Sequence, residues 1–190
     1  MSGCAATADI AFLLDGSRDI GRSNFELQKI FVKAIAKRYH ISAHLSHIGV
    51  ATYAARARQV LKFTDGTSFS SFNSKVNRIR YPKSYGRNLA SAVRAANWQF
   101  FSKSPPYVHR ALVIIVGGRQ TSRNYRLLRR YRSKLQKANV FVHVVTVGSA
   151  ERRYASMLAR RKHMIHIRSF RSLISKARVL GRQICEEMVR

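Results

Sequence analysis

Short apolar runs that end in glycine or an acid alternate along the chain with longer stretches whose apolar residues recur every three or four positions. Residues 9–15, DIAFLLD, form the first run and meet Gly16 at once, as expected of a strand buried on both faces. A helix is predicted next. Ser23-Asn-Phe-Glu26 has capping-box spacing, and Phe25, Leu27, Ile30, Phe31, Ala34 and Ile35 supply an apolar face that lasts to about Tyr39. HIGVATYA (47–54) and RQVLKF (58–63) are separated by very few residues and read as an antiparallel pair, with a short helix around 69–78 after them. The helical pattern resumes from Leu89 to Phe101 and stops before Ser104-Pro-Pro106, where proline cannot continue it.

RALVIIVGG (110–118) repeats the first theme, a β-branched apolar run closed by glycine. A basic amphipathic helix over Asn124–Ala138, a strand VFVHVVTVG (140–148), a short helix Glu151–Leu158, a strand MIHIR (164–168) and a closing helix Phe170–Cys185 complete the order. Strands alternating with amphipathic helices predict a doubly wound α/β domain. Its sheet is six-stranded and mostly parallel, with one antiparallel edge strand and helices on both faces, in a single domain over 1–190 with its core from about 8 to 186. Ligands of such sheets bind beyond the carboxyl ends of the strands, and AFLLDGSRD and VIIVGGRQTSR place two such ends at one rim. Trp98, Phe100, Phe101 and Phe25 fall on helical apolar faces and are expected in the core.

Composition narrows the class. A hydrophobic fraction of 46% with only 3 Pro fits a globular domain, and no segment approaches the run of about 18 apolar residues that a membrane span needs. The amino-terminal MSGCAATADIAFLLDG carries no basic region and too short an apolar stretch for a signal peptide, so Met1 is expected to be either an artificial start or the edge of an excised module. Charge is the extreme feature: 36 Lys+Arg against 8 Asp+Glu give a formal +28. Such a field attracts polyanions, whether nucleic acid, sulfated glycosaminoglycan, anionic lipid or acidic protein. The two cysteines, Cys4 and Cys185, sit near the two ends. They are either unrelated thiols or one bridge, worth about 5 kcal/mol in the chain-entropy model for so long a loop. The absence of interior thiols favours the bridge, and with it an oxidising compartment.

The order DIAFLLDGSRDIG, HIGVATYA, LKF, YGRNLASAV, ALVIIVGGRQ, VFVHVVTVG and a terminal ICEE resembles that of a von Willebrand factor type A domain over essentially the full length. The resemblance implies that Cys4 and Cys185 join the termini, as in matrix members of the family, and that the rim derives from a metal-ion-dependent adhesion site. That site holds a hard divalent cation such as Mg2+ on oxygen ligands. Asp15 and Ser17 match the first motif, and Asp19 stands where the family has a second serine. An ungapped match puts Arg87 at the family threonine and Gly117 at the third-loop aspartate. Three of five ligand positions are thus altered. A guanidinium beside a dication costs roughly 4 kcal/mol per unit charge at an effective dielectric of 20, so metal binding is expected to be weak or lost and no cofactor is assigned. Arg87 is expected to pair with Asp15 or Asp19 as an internal cation.

From Gly66 to Ala150 the chain has no acid. Within that stretch Arg123, Arg126, Arg130, Lys134 and Lys137 recur at steps of three and four and form one stripe, with Leu128, Tyr131, Leu135 and Ala138 facing inward. Arg152, Arg153, Arg160, Arg161 and Lys162 make a second cluster; Arg171, Lys176, Arg178 and Arg182 make a third. Solvated faces ordinarily mix signs, and these do not.

Other chemistry lacks its residues. The seven histidines show no H-x-x-x-H with an acid partner, and His143 reads as a strand residue rather than a metal ligand. GGRQTSR lacks the pattern of a phosphate-cradling loop, and Ser17 has no histidine at a neighbouring strand end. The expected function is a secreted, non-catalytic module of the extracellular matrix or of adhesion. Its partners would be matrix proteins such as collagen, glycosaminoglycans or other polyanions, with nucleic acid bound non-specifically. The alternatives are a nucleic-acid-binding A domain and an engineered or diverged scaffold with surplus charge.

Overall fold

A computed structural model, describing residues 3–188, puts β1 (Ala8–Asp15) at the centre of one sheet with all eight residues buried. Met1 lies outside the described residues. β1 pairs in parallel with β2 (His47–Tyr53) on one side and β4 (His109–Val116) on the other. Beyond β4 follow β5 (Val140–Val147) and β6 (Met164–Ile167), both parallel, while β3 (Ala57–Leu61) lies antiparallel on β2. The order is β3-β2-β1-β4-β5-β6, a six-stranded sheet whose single antiparallel strand is at the edge.

Side chains of β1 alternate between two cores because successive residues of a strand point to opposite faces. Ile10, Phe12 and Leu14 pack with α1 (Arg22–Ala36), α2 (Phe69–Asn77) and α6 (Leu173–Met188). Ala11 and Leu13 pack with α3 (Leu89–Ala96), α4 (Tyr125–Lys137) and α5 (Arg152–Leu158). Cys4 and Cys185 form a disulfide across a sequence separation of 181, which fastens the start of the chain to α6.

Three local expectations are corrected. The helix after β1 begins at Arg22 and is capped by Gly21 at φ 82°, so Ser23 lies inside the first turn and makes no cap. Glu26, the other half of the expected box, is bound to Lys29 instead, at 3.0 Å. Ile30 is exposed, because the buried arc of α1 includes the polar Gln28 and Lys29 and is rotated from an apolar-only stripe. Lys29 is buried by giving its ammonium hydrogens to Glu26 and to the carbonyls of Asn77 and Ile79 at 3.0 and 3.1 Å, at and just past the end of α2. Trp98 is 72% exposed. The helix from Leu89 ends in a π turn over 97–101, and this wider turn sets the consecutive Phe100 and Phe101 inward while Trp98 turns out.

Candidate functional site

The carboxyl ends of β1 and β4 meet the loops before α3 and α4 at the rim. Asp15, the last residue of β1, is fixed from below by α1: its N–H donates to Gln28 Oε1 at 2.8 Å and its carbonyl accepts from Gln28 Nε2 at 2.9 Å. Its carboxylate is fully buried and accepts the Ser17 N–H at Oδ1 (3.1 Å) and the Gly117 N–H at Oδ2 (2.8 Å).

Arg87 fills the space above it. Nε donates to Asp15 Oδ2 at 2.6 Å, the two terminal nitrogens donate to Asp19 Oδ1 at 2.6 Å and Oδ2 at 3.2 Å, and one of them also reaches the Arg119 carbonyl at 3.1 Å. Burial works against the charge on Arg87, but the Asp15 carboxylate and the hydrogen bonds to Asp19 and Asp15 outweigh it and hold the guanidinium ionised above its ordinary range. The backbone of Arg87 is set by Thr121, whose Oγ1 accepts the Arg87 N–H at 2.8 Å. Tyr53, at the end of β2, is buried beside the pair and donates its hydroxyl to the Ile115 carbonyl at 2.6 Å. Burial first, and Asp15 second, push its phenol well above the ordinary value.

The two glycines after β4 are required by this packing. A Cβ at Gly117 would stand 2.3 Å from Ile20 Cδ1 and 2.8 Å from Phe170 Cζ; one at Gly118 would stand 2.4 Å from a terminal nitrogen of Arg87. No carboxylate can therefore occupy position 117 without repacking. A divalent cation needs oxygen ligands at about 2.0–2.6 Å, and the oxygens of Asp15 and Asp19 that face the rim already accept from Arg87. The residues present do not fit such an ion. Ser17 Oγ, buried and without a partner among the described residues, is the one rim hydroxyl left unused.

The sequence brings Asp15, Ser17, Asp19, Arg87 and Gly117 together here. It did not single out Thr121, Gln28 or Tyr53, which hold them. Tyr81 was also unsignalled; its hydroxyl donates to the Ser17 carbonyl at 2.8 Å and accepts the Gly21 N–H at 3.0 Å.

The basic residues divide between two faces. Arg123, Arg126, Arg130, Lys134 and Lys137, on and before α4, are exposed, as are Arg152, Arg153, Arg160, Arg161 and Lys162 on and after α5. These two groups share the face covered by α3, α4 and α5, with Tyr125 and Tyr154 stacked between the helices at 5.2 Å and Arg153 over the Tyr125 ring at 4.7 Å. The third cluster sits on the opposite face, Lys176, Arg178 and Arg182 on α6 and Arg171 in the 3-10 turn before it. Acids scarcely offset these charges. Asp9 is bound to His47, Asp15 and Asp19 to Arg87, Glu26 to Lys29, Asp65 to the Lys62 N–H, Glu151 to the Gln120 N–H and Arg123, and Glu187 to His143 and His163. Only Glu186 lacks a bonding partner among the described residues.

Residues 9–177 match the von Willebrand factor type A domain family. Among curated proteins, mouse (Mus musculus) vitrin is 33% identical over 61% of this chain, and the von Willebrand factor A domain-containing protein 2 of Xenopus laevis is 26% identical over 98% of it. This chain spans 18% of the first relative and 24% of the second. Among solved structures, proximal thread matrix protein 1 from the mussel byssus superposes with a TM-score of 0.88 at 19% identity, covering 97% of this chain and 48% of that one. Another structure of that protein, described with a zinc-occupied MIDAS motif, has a TM-score of 0.88 at 20% identity and covers 97% of this chain and 47% of that one.

Proposed function

Because the chain belongs to the von Willebrand factor type A domain family, we propose that it is a non-catalytic module of the extracellular matrix that binds sulfated glycosaminoglycans and matrix proteins such as collagen through the α4–α5 face, without a metal at the rim. The distribution of charge carries this reading. Nearly every acid is engaged inside the domain, so the arginines and lysines of α4 and α5 face solvent without counter-charges. Arg126 to Lys137 covers about 16 Å at 1.5 Å per residue, a length that engages several sulfates of a linear chain. The guanidinium fork suits each of them in a bidentate contact. The engagement of Asp15 and Asp19 by Arg87 supports recognition that needs no bound ion, and the Cys4–Cys185 disulfide supports a secreted site of action.

A panel of heparin, chondroitin sulfate, collagen and RNA, each measured with and without EDTA at two salt concentrations, tests the proposal. Binding to the sulfated chains that is indifferent to EDTA and falls steeply with salt is the expected result. Tighter binding to RNA than to heparin would move the assignment to nucleic acid. Loss of binding in EDTA would return it to the metal-dependent mode of the family.

A further inference from the structure

At the end of the sheet opposite the rim, near the starts of β5 and β6, two imidazoles converge on one carboxylate. His143 is the fourth residue of β5 and fully buried; His163 closes the 3-10 turn that leads into β6; Glu187 lies in the last turn of α6. Nε2 of His143 is 3.1 Å from Glu187 Oε2, and Nε2 of His163 contacts Oε1. The ring centroids are 4.3 Å apart, and one ligand atom from each of the three residues lies within 4.8 Å of the others.

We propose that His143, His163 and Glu187 form a binding site for a borderline divalent transition metal, Zn2+ being the best fit. Two imidazole nitrogens and one carboxylate oxygen are a donor set that zinc takes with bonds of about 2.0–2.2 Å, leaving a fourth position for water. Tetrahedral ligands stand about 3.3 Å apart at those bond lengths, so only small side-chain rotations separate the observed cluster from a ligated one. The partners of Glu187 are telling. In a chain with 36 Lys and Arg, this half-buried acid is met by the same nitrogen of two histidines, while the nearest ammonium, Lys162 Nζ, stays at 3.9 Å on a side chain 58% exposed. His163 also lines a groove of about 220 Å³ with Arg132, Gln136 and Arg160.

The rim and this cluster are chemically distinct. The rim offers hard oxygen donors already taken by a guanidinium; this cluster offers two imidazole nitrogens beside one carboxylate. His143 Nδ1 has no partner among the described residues, so that ring lacks the hydrogen bond from its far nitrogen that strengthens metal-bound histidines. Affinity is expected in the micromolar range rather than the picomolar. The ion would join β5, the entry to β6 and the end of α6, two residues from the disulfide at Cys185.

The test uses the full chain, freed of metal with EDTA and dialysed. Zn2+ should bind one per chain and, at about a hundred times its Kd, raise Tm by roughly 5–10 °C. Co2+ should give the visible ligand-field absorption of tetrahedral coordination, displaced by Zn2+. His163→Gln and Glu187→Gln should each weaken binding about 100-fold or more. His166→Gln and Ser17→Ala should leave it unchanged, and Lys162→Gln should tighten it several-fold by removing the nearest positive charge. Absence of Co2+ absorption in the wild-type chain overturns the proposal even if the ligand variants fail to fold. Zn2+ binding that survives both His163→Gln and Glu187→Gln also overturns it.

Discussion

Arg87 Nε stands 2.6 Å from Asp15 Oδ2, joining the mouth of β1 to a residue 72 positions away, with both side chains buried at 3% and 0% exposure. The guanidinium thus meets the carboxylate at the carboxyl end of β1. Removing it by Arg87→Ala leaves a fully buried carboxylate with only N–H partners, and the expected loss is about 3–5 kcal/mol in urea unfolding. Arg87→Lys keeps the charge but loses the fork that bridges Asp15 and Asp19, and is expected to be intermediate. The double variant Asp15→Asn/Arg87→Met should recover most of the loss, because neither charge then remains buried alone.

Placing an aspartate at position 117 is expected to create no metal site. The new Cβ meets Ile20 Cδ1 and Phe170 Cζ at distances that real contacts do not show. Gly117→Asp should therefore cost about 1–3 kcal/mol from overpacking, with no gain in Mg2+ binding by calorimetry.

Alkaline stability follows from Tyr53. Its folded-state pKa is raised by burial and by Asp15, so the stability it contributes is complete below the unfolded-state value of about 10 and is lost as pH rises beyond it. Tyr39, raised chiefly by burial, acts in the same direction. Unfolding free energy should fall above pH 10. In Tyr53→Phe the decline should be shallower, with about 1 kcal/mol lost at neutral pH for the missing hydrogen bond to Ile115.

Reduction of the Cys4–Cys185 bridge is expected to cost about 2–5 kcal/mol, because it constrains nearly the whole unfolded chain. The same loss should appear in Cys4→Ala/Cys185→Ala without reductant.

Much of this architecture was legible in the chain. Three of the six strands, β1, β4 and β5, announce themselves as apolar runs closed by glycine or acid, and the parallel order follows from the alternation of strands with amphipathic helices. Periodicity misjudged places where polar chemistry or backbone geometry decides. Lys29 lies on the buried arc of α1 because carbonyls at the end of α2 and just beyond it receive its ammonium, and no apolar pattern encodes that. The start of α1 is governed by the positive φ of Gly21, so the capping spacing at Ser23 is idle. Trp98 is displaced by a π turn that leaves no mark in a three-to-four repeat.

At the rim, Asp15, Ser17, Asp19, Arg87 and Gly117 were legible only through the family pattern, since their separations carry no local signal. Gln28 and Thr121, which orient them, fit no ligand motif and could be found only in three dimensions. The His143–His163–Glu187 cluster draws its members from β5, a 3-10 turn and α6, with sequence gaps of 20 and 24 residues that match no metal-binding spacing.

Titration calorimetry with Mg2+ and Mn2+ tests the central claim, that a guanidinium stands in the place of the rim cation, more directly than any other measurement. The wild-type chain should show no saturable Mg2+ binding down to millimolar affinity, and Ser17→Ala, which removes a hydroxyl without a partner among the described residues, should leave the trace of either ion unchanged. One-to-one binding at micromolar Kd that disappears in Ser17→Ala would contradict the account.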